Sequence, residues 1–156
     1  MSDARPGEVA LSFDPAARAE ARVAVIGRVR TPWGPGDCPR NLRTARERGG
    51  GARVVLEPAY RAGCAGLEPG RWVMLLTFMD GARRDLVVQA PRHVDGPRGV
   101  FALRSPVRPN PVALACVRIE AMRPDGFDVD AMDCFDGTPL LDVKPWVAAL
   151  DAPFPG

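Results

Sequence analysis

Short apolar runs separated by glycine and proline constrain the fold of this chain more than any other feature of its sequence. The 156 residues include 17 prolines and 16 glycines, and a proline inside a helix removes a hydrogen bond and breaks it. Only residues 60–67 have a weakly helical pattern. Regularly spaced short strands are typical of a barrel or sandwich, so the sequence predicts an all-β fold, a single-sheet β-barrel with short helices and long Pro/Gly-rich loops. The strand-like runs are residues 23–29, 52–56, 72–78, 85–89, 99–103, 112–122 and 127–132.

The same pattern predicts the domain boundaries. Residues 1–22 show little periodicity, and we expect an N-terminal tail there with at most a short helix near residues 15–21. Residues 23–150 are expected to form one barrel domain. Its longest loop, residues 31–51, is dense in proline, glycine and arginine, and ordered loops of that length are often functional. The sequence Arg123-Pro124-Asp125-Gly126 predicts the turn of a hairpin.

Composition excludes several classes of protein. The net charge of +2 is too small to indicate nucleic-acid binding by itself. The four cysteines have no C-x-x-C spacing, so we expect reduced thiols and no metal site. No window approaches the roughly 18–20 apolar residues of a membrane span, and the first residues lack the pattern of a secretory signal. A cytoplasmic protein without membrane association is therefore expected.

A stiff polar segment follows the run at residues 99–103. Arg108 and Asn110 each precede a proline, which restricts their backbones to extended conformations. A guanidinium and a carboxamide held in this way suit a ligand with a carboxylate and a purine edge. A tight corner with the asparagine capping a turn explains the same residues, and spacing alone slightly favours that second interpretation.

The segment at residues 133–146 also leaves two interpretations open. Asp133 and Asp136 could accept hydrogen bonds from ribose hydroxyls or an amino group, or they could belong to ordinary turns around Asp-Gly and Thr-Pro. Asp142 and Lys144 are two residues apart on an extended stretch and therefore share a face. Because Lys144 is the sole lysine in an arginine-rich chain, we favour a buried, site-facing pair over a surface pair.

Taken in order, these segments resemble one family. The run GVFALRSPVRPNP (residues 99–111) followed by DCFDGTPLLDVKPW (residues 133–146) resembles the signature of the TsaA-like (TrmO-type) S-adenosylmethionine-dependent methyltransferases. Residues 26–32 resemble the first strand of that family, Cys38-Pro39-Arg40-Asn41 its Pro-Arg-Gln loop, and Gly66-Leu67-Glu68 its Gly-Leu-Glu turn. The combination is specific although each piece alone is weak.

The resemblance implies a β-barrel that binds S-adenosylmethionine near the interface of a homodimer and methylates N6 of threonylcarbamoyladenosine in tRNA. It implies no catalytic nucleophile, and no general base is assigned. By matching position, contacts to the cofactor are expected from Pro39, Arg40, Asn41, Arg104, Leu114, Asp133, Cys134, Phe135 and Asp136. Support for the substrate or for the site is expected from Arg108, Asn110, Asp142 and Lys144. The expected roles are Arg104 or Arg40 for the methionine carboxylate, Asp133 or Asp136 for the ribose or amino group, and Leu114 with Phe135 for the adenine.

Departures from the family pattern affect the side of the methyl acceptor. Arg71-Trp72 and Met79-Asp80 stand where the family has Ser-His and often His-Gln. The chain ends about ten residues after Lys144-Pro145-Trp146, which favours an acceptor other than tRNA. The arginines around residues 40–48 suit either phosphates or a solvated surface. Three functions therefore remain: a tRNA methyltransferase, a methyltransferase acting on a small molecule or other acceptor, and a non-catalytic barrel that binds nucleotides or RNA.

Overall fold

The computed structural model describes residues 4–153, and antiparallel strands joined by short helices account for its regular structure. The prediction of an all-β chain with short helices is confirmed. The strands are β1 (Val9–Ala10), β2 (Gly27–Arg30), β3 (Ala52–Leu56), β4 (Trp72–Phe78), β5 (Leu86–Gln89), β6 (Arg98–Gly99), β7 (Val112–Arg123), β8 (Gly126–Val129) and β9 (Thr138–Pro145). The helices are α1 (Leu42–Glu47), α2 (Ala148–Asp151) and three 3-10 helices at Pro15–Arg18, Pro58–Cys64 and Val100–Ala102.

The chain separates into two compact units. Among the described residues, the first combines residues 4–23 with Met79–Ala113, and the second combines Ala24–Phe78 with residues 114–153. Strand β7 begins in the first unit and continues in the second. No helix among residues 4–153 is long and apolar enough to cross a membrane.

The second unit contains the large sheet and the main hydrophobic core. Its strands follow the order β2-β3-β8-β7-β4-β9 and close into a barrel, with Gly27 opposite Leu56 between β2 and β3 and Val73 opposite Pro145 between β4 and β9. Side chains alternate between the two faces of a strand, and buried residues therefore alternate with more exposed ones along β2, β3 and β4. The largest fully buried side chains of this unit are Phe127, Leu75, Ile119, Met132, Leu140, Val29, Val54, Val73, Val117, Val129 and Thr77.

The hairpin between β7 and β8 shows why its turn needs glycine. Arg123 pairs with Gly126 across the turn, as the sequence predicts. Gly126 has a φ of +154°, and a Cβ there would lie 1.9 Å from the carbonyl oxygen of Val54. The close approach of β3 therefore excludes any side chain at this position.

The first unit contains a second, three-stranded sheet in the order β1-β5-β6. The prediction of a single sheet and of an N-terminal tail is wrong here, because Val9 pairs with Val88 and the backbone nitrogen of Leu11 donates to the Asp85 carbonyl at 2.6 Å. The strand is only two residues long and both are exposed. It therefore leaves no alternating pattern in the sequence.

Four further elements differ from the sequence predictions. Strand β2 begins at Gly27 rather than residue 23, and the run at residues 99–103 is mostly the 3-10 helix Val100–Ala102. Helix α1 lies within the stretch predicted as a loop, residues 31–51. The prolines of that stretch all precede the helix and therefore do not interrupt it. Strand β9 was not predicted as a strand; it contains two prolines, yet it pairs with both β2 and β4.

Candidate functional site

Two loops meet at one end of the barrel. The first, residues 31–41, follows β2, and the second, residues 133–137, precedes β9. The backbone nitrogen of Asp136 donates to the Trp33 carbonyl at 2.8 Å, and that of Gly137 donates to the Val29 carbonyl at 2.9 Å. The predicted cofactor residues at 39–41 and 133–136 therefore lie on loops that are hydrogen-bonded to each other.

Trp33 fixes the first loop to the barrel. Its side chain is only 8% exposed, and its indole Nε1 donates to the Met132 carbonyl at 2.8 Å. The Arg48 guanidinium lies 4.4 Å from the ring centroid, a distance typical of a cation–π contact. The indole packs so closely on Gly50 that a Cβ there would lie 2.4 Å from its Cζ2 atom. The sequence analysis did not identify Trp33 as a site residue; a tryptophan within a Pro/Gly-rich loop was the available signal.

Asp136 clamps the two loops together. Arg30 donates from Nε and Nη2 to the two carboxylate oxygens of Asp136, at 2.7 and 2.9 Å. The backbone nitrogen of Thr31 donates to the same carboxylate at 3.1 Å, and the Thr31 hydroxyl donates to the Cys134 carbonyl at 2.9 Å. The Arg30 guanidinium holds the pKa of the Asp136 carboxyl below its usual value. This carboxylate is therefore engaged in holding the loops.

Asn41 begins helix α1. Its side-chain oxygen accepts a hydrogen bond from the backbone nitrogen of Thr44 at 2.8 Å, and its own backbone is extended. Asparagine is among the best residues for this capping position, and it stands where the family pattern has glutamine. Pro39 is buried and Arg40 is exposed, so the loop presents the arginine to solvent and anchors itself through the proline.

The two cysteines of these loops lie in a negatively charged environment. Burial raises the pKa of the Cys134 thiol to about 12. The pKa of Cys38 is also raised, first by burial and then by the carboxylates of Asp133 and Asp37. Both thiols therefore stay protonated at neutral pH. Protonated, buried thiols do not favour nucleophilic cysteine chemistry at these loops.

The remaining predicted cofactor residues belong to different units. Leu114 and Phe135 lie in the second unit and are 44% and 48% exposed. Exposed apolar side chains of this size can contact a planar ring. Arg104 is exposed and lies just after the 3-10 helix Val100–Ala102, in the first unit.

Arg108 and Asn110 stabilise the backbone of the first unit. The Arg108 Nη2 atom donates to the carbonyls of Val100 and Leu103, the latter at 2.5 Å. These bonds hold the 3-10 helix and explain why the segment is not a strand. The Arg84 guanidinium donates to the Asn110 side-chain oxygen at 3.3 Å. Both predicted support residues therefore hold their own loop in place.

The structure corrects one predicted feature of the site. Asp142 and Lys144 form an ion pair at 2.8 Å, but their side chains are 44% and 58% exposed. The pair is therefore on the surface and not buried, because the outward face of β9 at these positions is not covered within the part of the chain that the structure describes. No group of three metal-ligating side chains occurs among the described residues.

The family of the chain follows from a match to residues 28–152, described as the tRNA-methyltransferase O N-terminal domain. The chain belongs to this family. A relative from Rhizobium radiobacter, "Probable S-adenosyl-L-methionine-binding protein VirR", is 32% identical over 142 residues, which are 90% of this chain and 78% of that protein. The mouse tRNA (adenine(37)-N6)-methyltransferase is 35% identical over 83 residues, which are 53% of this chain and 19% of that enzyme.

Solved structures of the family have the same fold. The crystal structure of TrmO from Pseudomonas aeruginosa superimposes with a TM-score of 0.68 at 27% sequence identity and covers 88% of this chain. The chain spans 61% of the length of that TrmO protein. The resemblance inferred from the sequence motifs is therefore confirmed.

Proposed function

We propose that this protein is an S-adenosylmethionine-dependent methyltransferase whose acceptor is the N6 position of a modified adenosine in tRNA. The observation that carries the proposal is the hydrogen-bonded pair of loops at residues 31–41 and 133–137, in a chain that belongs to the family. The family description and the name of the mouse relative support tRNA as the acceptor class. The names of bacterial and archaeal relatives support the cofactor.

The chemistry of the two loops fits this cofactor. S-adenosylmethionine has a sulfonium cation, an amino acid end and an adenosine. Burial is the main cause of the raised pKa of the Cys38 thiol, and the carboxylates of Asp133 and Asp37 add to it, so negative side chains that can attract a cation lie close to this loop. Phe135 and Leu114 offer apolar surface for the adenine. We propose Arg104 or Arg40 as the partner of the methionine carboxylate.

The contacts of Asp136 indicate its role. Both oxygens of Asp136 accept hydrogen bonds from Arg30, and one also accepts from Thr31. We therefore propose Asp136 as a positioning residue. We propose Asp133 as the acceptor for the ribose or amino group because the family resemblance implies a cofactor contact at its position. Asn41 has a double role in this proposal, because its oxygen caps α1 while its amide nitrogen is the group that donates to the ligand.

Methyl transfer itself requires little from the protein beyond alignment. S-adenosylmethionine held by these loops would supply an electrophilic methyl group and keep the electron pair on sulfur, and the acceptor nitrogen would lose its proton to water or a base. Holding donor and acceptor at attack distance can supply about 7–11 kcal/mol of the barrier. We further propose a cytoplasmic homodimer with the cofactor near the subunit interface, as the resemblance implies.

Calorimetric titration with S-adenosylmethionine tests the donor site. Asp133→Ala and Arg104→Ala should each weaken binding by at least about tenfold, because a hydrogen bond to a charged group contributes about 1.5–3 kcal/mol. Asp95→Ala and Arg92→Ala replace exposed residues of the same charges outside the proposed site, and they should bind normally. Absence of binding at millimolar cofactor in a folded protein would refute the proposal.

The acceptor is tested separately. Purified protein with labelled S-adenosylmethionine should transfer the methyl group to tRNA that contains threonylcarbamoyladenosine, and not to the same tRNA lacking that modification. Mass comparison of tRNA from deletion and parent strains should show the loss of one methyl group. If the protein binds the cofactor but gives neither of these results, the methyltransferase proposal stands and the acceptor is a molecule other than tRNA.

A further inference from the structure

We propose that a cavity at the end of the barrel opposite the two loops binds a planar nitrogen heterocycle of the nucleobase type. The cavity has a volume of about 580 Å³, within the range of small-molecule pockets. It lies entirely in the second unit, beneath the 3-10 helix Pro58–Cys64. Its base consists of the buried side chains of Leu56, Val73 and Phe127.

The cavity is separate from the loops proposed to hold the cofactor. Ile26 and Leu56 line it, and they lie at the start of β2 and the end of β3, which pair in antiparallel fashion. The cofactor loops begin beyond the other end of β2, at Thr31. Five residues of extended chain at about 3.3 Å each separate the two ends by roughly 16 Å. A ligand in the cavity therefore occupies a second site.

Aromatic side chains form the walls. Tyr60, Trp72 and Trp146 line the cavity and are 42%, 42% and 39% exposed. The backbone nitrogen of Trp146 donates to the Trp72 carbonyl at 2.9 Å, so the two tryptophans are neighbours on adjacent strands. Large aromatic rings at a protein surface, next to an apolar depression, are the usual means of stacking a base.

Trp72 is held in place by charged neighbours. The Arg46 guanidinium lies 5.6 Å from the centroid of its ring. Arg46 is in turn fixed by Asp130 at 2.7 Å and by the Cys116 carbonyl at 3.0 Å. A ring supported in this way loses little conformational freedom when a ligand stacks on it, which favours binding.

The polar groups of the cavity indicate a neutral ligand that donates hydrogen bonds. Its charged lining residues are Asp142 and Arg71. Arg71 is already paired with Glu68 at 3.1 Å, so it does not present the uncompensated positive charge that a phosphate chain requires. A carboxylate can accept several hydrogen bonds, and Asp142 can therefore take an exocyclic amino group in addition to its bond with Lys144. Apolar walls, stacking rings and one acceptor together fit a nucleobase, from a free nucleoside or an unpaired base of RNA.

Fluorine NMR of protein labelled with 5-fluorotryptophan provides the test. The chain has three tryptophans, one beside the cofactor loops and two in the cavity, and single substitutions to phenylalanine assign their resonances. Titration with guanosine, which lacks the adenine of the cofactor, should shift the Trp72 and Trp146 resonances and leave that of Trp33 unchanged. S-adenosylmethionine should affect Trp33, and failure of that response would count against the donor site alone.

Affinity measurements complete the test. Trp72→Leu and Trp146→Leu should each weaken nucleoside binding by about tenfold, because stacking of one base is worth about 1–3 kcal/mol. Phe101→Ala removes an aromatic ring that is 89% exposed in the other unit, and it should bind normally. A response to short single-stranded RNA but not to nucleosides would assign the base to RNA. The proposal is overturned by unshifted cavity resonances with both probes, by unchanged affinity in both leucine variants, or by displacement of the nucleoside with S-adenosylmethionine.

Discussion

Replacing Trp33 by phenylalanine should lower the free energy of unfolding by about 2–4 kcal/mol. The indole Nε1 donates to the Met132 carbonyl at 2.8 Å in a setting where the tryptophan is 8% exposed. Loss of the donor leaves a buried acceptor unpaired, which costs about 1–3 kcal/mol. The smaller ring adds about 1 kcal/mol through the space it leaves. The loop that carries residues 39–41 should loosen as well, and the affinity for S-adenosylmethionine should fall.

A substitution at Gly50 tests the same contact with the Trp33 ring from the side of the glycine. A Cβ there would lie 2.4 Å from the Cζ2 atom of Trp33 and 2.9 Å from the Ala45 carbonyl oxygen. Gly50→Ala should therefore destabilise the wild-type protein by about 1–3 kcal/mol, the usual cost of overpacking. In the Trp33→Phe variant the clash with Cζ2 is removed. Gly50→Ala should therefore lower the free energy of unfolding by less in that variant than in the wild type.

The coupling between Trp33 and Gly50 is measured by urea denaturation of the wild type, Trp33→Phe, Gly50→Ala and the double variant. Far-ultraviolet circular dichroism follows the unfolding of each protein. The double variant should be more stable than the sum of the single effects predicts by about 0.5–3 kcal/mol, as for residues in direct contact. Additive effects within about 0.3 kcal/mol would refute the packing of the indole on Gly50. A Trp33→Phe variant as stable as the wild type would refute the hydrogen bond to Met132.

Three other perturbations test separate parts of the structure. Asn41→Ser should keep the cap of α1 and weaken cofactor binding, whereas Asn41→Ala should also cost about 1 kcal/mol of stability; calorimetry and urea denaturation separate the two effects. Gly126→Ala should destabilise the protein by more than about 1 kcal/mol, because its Cβ would lie 1.9 Å from a backbone oxygen. The control Gly51→Ala, whose Cβ would lie 3.6 Å from the nearest atom, should destabilise it by less than half as much in the same denaturation assay. Asp136→Asn should destabilise the protein at neutral pH. The pKa of the Asp136 carboxyl is lowered in the folded state. Its contribution to the free energy of unfolding is therefore fully present above the ordinary carboxyl pKa of about 4. That contribution disappears as pH falls through the lower pKa of the folded state. The stability curves of wild type and variant should therefore converge in acid, and a constant difference down to low pH would contradict the ion pair.

The strands that have a strong local pattern could be predicted from the sequence alone. The bounds of β3 and β4 agree with the apolar runs at residues 52–56 and 72–78, because one face of each strand is buried and alternation results. The hairpin turn before Gly126 was equally clear, since its geometry depends on local residues. The family was also evident, because its motifs are local in sequence and specific in combination.

Elements whose formation depends on distant partners could not be predicted in the same way. Strand β1 exists because β5 pairs with it, and β9 tolerates prolines because hydrogen bonds to β2 and β4 hold it in the sheet. In both cases a tertiary contact outweighs the local preference of the chain. The 3-10 helix Val100–Ala102, where a strand was predicted, is instead bonded within its own segment, since Arg108 donates to the Val100 carbonyl.

For the proposed site, the sequence motifs indicate candidate residues, and the tertiary structure decides which contacts those residues make within the protein. Asp136 and Arg30 are separated by 106 residues, and no local pattern indicates that they form the clamp between two loops. The burial of Trp33 against Gly50 and the surface position of Lys144 likewise depend on how the barrel strands are arranged. The types of side chain in a candidate site can thus be proposed from motifs, whereas the exposure and the hydrogen-bond partners of those side chains are set only when distant segments pack together.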